Sequence, residues 1–78
     1  MPKAHVVSGR DLVKALLAVG WVVDRWRGSH QILWNSETCK SVSVPIHGNR
    51  PLPPGTRDRI MELAGLTDDD LRRLLGRR

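Results

Sequence analysis

Residues 21–46 hold three short runs of strand-forming residues separated by turn formers, and this stretch restricts the fold more than any other part of the chain. Residues 21–27 are rich in Val and Trp. Residues 30–34 follow after Gly28-Ser29, and in residues 41–46 Val42, Val44 and Ile46 alternate with Ser41, Ser43 and Pro45. The intervening segments are too short for a crossover, so the strands must be antiparallel neighbours in a meander. Pro45 has no N–H to donate and marks an edge or the end of pairing. By simple alternation Trp21, Val23 and Arg25 share one face, and Val22, Asp24 and Trp26 share the other. Both sets are partly apolar, so the buried face is left open.

Helical patterns flank these strands. Ser8 and Asp11 have capping-box spacing, and Leu12, Leu16 and Val19 follow at helical intervals beside Val13 and Leu17, before Gly20. The spacing predicts a helix over residues 9–19. Residues 48–55, with three prolines and two glycines, read as a loop. Thr56 is the expected cap of a second helix over 57–64, with Ile60, Leu63 and Ala64 inward and Gly65 at its end. Thr67 and Asp70 repeat the capping box before a short third helix carrying Leu71, Leu74 and Leu75. Asp68, Asp69 and Asp70 suit its positive end, and Arg72, Arg73, Arg77 and Arg78 its negative one. Residues 1–7 read as a flexible lead-in. The expectation is one α+β domain over 1–78: α-β-β-β-α with two helices on one face of a three-stranded antiparallel sheet, and a short helical tail over 67–78.

At 78 residues the chain can bury only a thin core. Phe and Tyr are absent, so Trp21, Trp26 and Trp34 supply all the aromatic bulk. Thirteen basic and eight acidic residues give a net charge of +5, which favours polyanions: nucleic acid first, acidic proteins second, anionic membranes third. Cys39 is the single cysteine, so neither an internal disulfide nor a cysteine metal site can form. Residues 1–10 lack the apolar run of a signal peptide, and no segment approaches membrane-spanning length, which suits the cytoplasm.

Chemistry-bearing residues concentrate at one turn. Gly28 permits a tight reversal that sets Ser29 and His30 at the start of a strand, close to Arg25 and Arg27. An imidazole titrates near neutral pH and can take and return a proton, while guanidiniums hold phosphate oxygens. The alternative for His30 is a surface histidine bonded to a backbone carbonyl. His47 is a second acid or base, a phosphate contact, or a plain loop residue; His5 lies in the lead-in. No HExxH, cysteine pair or carboxylate cluster suggests a metal, and no glycine loop suggests a nucleotide cofactor. Arg25, Trp26, Arg27, Trp34, Lys40 and Arg50 form a scatter of cations and aromatic faces suited to RNA, although Trp21 and at least one other Trp are expected in the core.

Gly20-Trp21, Arg25 and Gly28-Ser29-His30, followed by Val44-Pro45-Ile46-His47-Gly48-Asn49, resemble the HicA family of mRNA interferase toxins. Pro54-Gly55-Thr56, Ile60 and Ala64-Gly65-Leu66 extend the similarity in the same order, so that it runs from about Ser8 to Leu66. The resemblance implies a double-stranded-RNA-binding-like fold, cleavage of mRNA, and a HicB-type antitoxin covering the active site. It implies that His30 is catalytic and that Gly28 and Ser29 position it. Gln31 stands where the family's Gly-Ser-His-His form has a second histidine. The expected chemistry is metal-independent transfer within RNA, with Arg25, Arg27, Lys40, Arg50 and Trp34 as RNA contacts and His47 as an auxiliary group. Two other readings share the same charge and fold: a small RNA-binding module that does not cut, and an interaction protein whose basic face meets an acidic partner.

Overall fold

The computed structural model describes residues 6–76. His5, the first part of the expected lead-in, and Arg77 and Arg78 at the expected helix end lie outside the described residues. The element order is α1 (Gly9–Ala18), β1 (Val22–Arg27), β2 (His30–Asn35), β3 (Lys40–Pro45), α2 (Pro54–Ala64) and α3 (Asp68–Leu74). This is the α+β arrangement expected from the pattern, with a three-stranded antiparallel sheet in the order β1-β2-β3.

α1 begins where its capping box places it. The Asp11 N–H donates to Ser8 Oγ at 3.1 Å, and the Ser8 N–H donates to the Asp11 carboxylate at 3.4 Å. Its apolar face buries Leu12, Val13, Ala15 and Leu16. Against them pack Leu33, Val42 and Val44 from the sheet, Ile60 and Met61 from α2, and Leu71 from α3, with Trp21 closing the core just before β1. Val7 also joins this core, at 1% exposure, and its carbonyl accepts from the Leu52 N–H at 2.8 Å. The packed chain therefore begins earlier than expected: Val7 is no part of a flexible lead-in, because an apolar side chain and a backbone pairing both hold it.

α2 also departs from expectation. Its cap is Pro53, with Pro54 in the first turn and no side-chain capping bond, so Thr56 lies inside the helix and the loop ends two residues sooner. Proline suits this start because its fixed φ is already helical and its missing N–H would have no helical partner. The buried Arg57 joins α2 to α3: its guanidinium lies 2.6 Å from Asp58 and 3.8 Å from Asp68.

α3 carries the second capping box. The Thr67 N–H donates to Asp70 at 2.9 Å, Asp70 N–H donates to Thr67 Oγ1 at 3.1 Å, and Arg73 pairs with the same carboxylate at 2.8 Å. The backbone bond from Thr67, then the Arg73 guanidinium, hold the Asp70 carboxyl below its ordinary value of 3.8. A carboxylate depressed on folding contributes stability above its unfolded value, and this is lost as pH falls through the folded one. Acid below about pH 4 should therefore fray α3 first. Hydrogen exchange of the α3 amides against pH checks this, and Asp70→Asn should remove the dependence.

β1 contains the largest departure. Its register with β2 runs Val22↔Trp34 and Val23↔Leu33, then Arg25↔Ile32, Trp26↔Gln31 and Arg27↔His30. Asp24 is the extra residue of a β-bulge. Such a residue inverts the alternation beyond it. The expected sets of Trp21, Val23 and Arg25 against Val22, Asp24 and Trp26 are thus corrected. Val22, Arg25 and Arg27 share one face, while Val23 and Trp26 share the other.

Candidate active site on the open sheet face

Cross-strand partners point to the same side of a sheet, so the register shows which side chains gather. Leu33 and Val42 are partners, and both are in the core under the helices. The opposite, open face then carries Val22, Trp34 and Ser41 in one row, Arg25, Ile32 and Ser43 in the next, and Arg27, His30 and Pro45 in the last.

His30 is the first residue of the central strand. Gly28, with φ 61°, lets β1 reverse in two residues, as in hairpins with glycine first. On the other side the Ile46 N–H donates to the Ser29 carbonyl at 2.9 Å and carries the β2–β3 ladder one step beyond Pro45. The turn is therefore held from both sides, and the backbone of His30 is fixed by strands rather than by a free loop.

The ring of His30 is exposed, and among the described residues no hydrogen bond or ion pair engages it. The carbonyl-bonded surface histidine is not what the structure contains. Arg27 lies directly opposite on the same face, with Cβ atoms about 5 Å apart as for any such pair. Arg25 stands one row further and is ion-paired with its neighbour Asp24. Exposed pairs of this kind contribute about 0–1 kcal/mol, so a phosphate can take the place of Asp24 at little cost.

The other expected site residues are dispersed. His47 lies exposed two residues past Pro45, and its carbonyl accepts from the Arg50 N–H at 3.1 Å in a tight turn with Gly48 at φ 60°. Both belong to the loop that leaves the His30 end of the sheet. Lys40 pairs with Asn35 at the opposite end, on the helix side, and is not brought to His30. Trp34 shares the face of His30; Trp26 does not. Among the described residues, no three His, Cys, Asp or Glu side chains gather as a metal-binding group. An open cleft of about 710 Å³ between α2 and α3, lined by Arg57, Met61, Glu62 and Leu66 among others, contains none of the expected site residues.

One residue that supports the site escaped the sequence reading. Gly9, the first residue of α1, packs so tightly on the end of β3 that a Cβ there would sit 2.0 Å from the Pro45 carbonyl oxygen. Its only sequence signal is its place after the Ser8 cap.

The structure thus defines a small basic α+β domain that presents an unpartnered imidazole beside arginines on an open sheet. A family model described as HicA toxin of bacterial toxin–antitoxin matches residues 9–66, from the start of α1 to just past α2. The chain belongs to the HicA toxin family, and so takes the toxin role in a toxin–antitoxin system. No curated protein matches it. No helix among the described residues is long and apolar enough to cross a membrane.

Proposed function

We propose that this toxin is an endoribonuclease that cleaves mRNA in the cytoplasm through His30 and is neutralised by a HicB-type antitoxin. The observation that carries the reading is the exposed, unpartnered His30 ring, fixed on the central strand opposite Arg27. The neutral imidazole removes the proton of a ribose 2′-hydroxyl. The 2′-oxygen then bonds to the adjacent phosphorus as the bond from phosphorus to the 5′-oxygen breaks. Arg27 and Arg25 hold the non-bridging oxygens, where charge accumulates. Water or His47 returns a proton to the leaving 5′-oxygen. The products are a 2′,3′-cyclic phosphate and a 5′-hydroxyl, and no metal takes part. The antitoxin reading is supported by charge: a +5 domain with arginines at its site attracts an acidic inhibitor surface at a steered rate.

Mass spectrometry of the fragments from a purified RNA oligonucleotide tests the chemistry. Cyclic phosphate ends are expected, with cutting unchanged by chelator and absent on DNA of the same sequence. Fragments with 5′-phosphate and 3′-hydroxyl ends, or cutting that depends on added metal, would overturn it.

A further inference from the structure

Trp21 is buried at 3% exposure, but Trp34 is left 36% exposed on the open face, in a chain with no Phe or Tyr to fill its core instead. Trp34 stands on the central strand, paired with Val22 on one side and Ser41 on the other, so its backbone is held from both directions. Those flanking side chains are smaller than an indole. Between Trp34 and His30, on the same face, lies Ile32, which is only 8% exposed. Trp34 lies four residue steps along the strand from His30, about 13 Å at the usual rise. An extended nucleic acid strand, with six backbone bonds per nucleotide, crosses that distance in about two nucleotides.

We propose that Trp34 is a stacking platform for an unpaired base about two nucleotides from the scissile phosphate, so that the toxin takes single-stranded RNA along β2. This rests on the reading of the open face as the RNA-binding face. A base inside a duplex has both faces covered by its neighbours and cannot reach an indole; a splayed base can. Arg25 lies in the row between the two ends, so the charge that faces the scissile phosphate also borders this track. The geometry also separates the two exposed tryptophans. Trp26, at 56% exposure, pairs with Gln31 on the helix side of the edge strand and is outside this track.

The test uses full-length protein carrying His30→Ala, so that RNA is bound without being cut, and an eight-nucleotide RNA of mixed sequence read by fluorescence anisotropy. Trp34→Leu, which keeps an apolar side chain but removes the aromatic face, should weaken binding about 5- to 150-fold, the range for one lost base–aromatic stack. Trp34→Phe should stay within a few-fold of the parent, and Trp26→Leu should change binding less than about two-fold. A fully paired duplex of the same sequence should bind more weakly than the single strand. Melting curves establish that each variant is folded. Unchanged binding by folded Trp34→Leu, equal losses from Leu and Phe, or duplex binding as tight as single strand would each overturn the platform. The ribonuclease reading is judged separately, on protein with His30 intact. If that protein does not cut RNA but Trp34→Leu still weakens binding, the platform stands without the nuclease. If it cuts and Trp34→Leu binds normally, only the platform falls.

Discussion

Induced without an antitoxin, the wild-type chain is expected to arrest growth and deplete mRNA, and the His30→Ala variant to do neither. A general base contributes on the order of 10²–10⁴ in rate, and replacing the imidazole by a methyl group removes that contribution. The variant should nonetheless fold. The imidazole is exposed and makes no bond among the described residues, and the strand around it is held by backbone pairing to Arg27 and Pro45. Surface substitutions away from caps and special conformations usually change stability by less than about 0.5 kcal/mol. Thermal melting of both proteins beside an RNA cleavage assay separates lost chemistry from lost structure. Equal cleavage by the two folded proteins would remove His30 from the reaction.

The parts of this molecule that were legible in the sequence are those written in local chemistry. Two capping boxes, Ser8 with Asp11 and Thr67 with Asp70, start α1 and α3 where their spacing says. Gly28-Ser29 makes the hairpin that presents His30. The departures have a common physical origin, because each depends on a partner distant in sequence or on a rule with two solutions. A helix can begin on a hydroxyl cap or on proline, and at α2 the prolines preceded Thr56. A bulge adds one residue to one strand only, so the pairing of β1 with β2, not the composition of β1, decides which side Trp26 and Val22 occupy. For the site this matters in one direction: Arg25 and Arg27 stay together with His30, and Val22 replaces Val23 beside them. Val7 shows the same dependence, since its carbonyl accepts from the N–H of Leu52, forty-five residues further on.

Gly9→Ala is expected to be among the most damaging single-methyl additions in the domain. The new Cβ would lie 2.0 Å from the Pro45 carbonyl oxygen, 3.1 Å from its carbon and 3.0 Å from Ile46 Cδ1. The nearest of these atoms is backbone, so no side-chain rotation can relieve the contact; α1 and β3 must separate. Forced overpacking of this kind costs typically about 1–3 kcal/mol, and a contact this short falls at the upper end. A domain of this size has roughly 4–12 kcal/mol of total stability. The melting temperature should therefore fall on the order of 10–20 °C, at several degrees per kcal/mol. Gly55→Ala is the matched control. Gly55 lies in α2, where an added Cβ meets nothing within 4 Å beyond its chain neighbours and its own helix backbone, so alanine there should be neutral or stabilising by up to about 1 kcal/mol. If both variants melt alike, the close approach of α1 to β3 is not a constraint on the fold. The same substitution also bears on function. Pro45 is the cross-strand partner of His30, and Ile46 donates to the carbonyl of Ser29. A shift of β3 away from α1 thus moves the backbone that fixes the imidazole. Cleavage by Gly9→Ala should fall further than its unfolded fraction explains, even at temperatures well below its melting point.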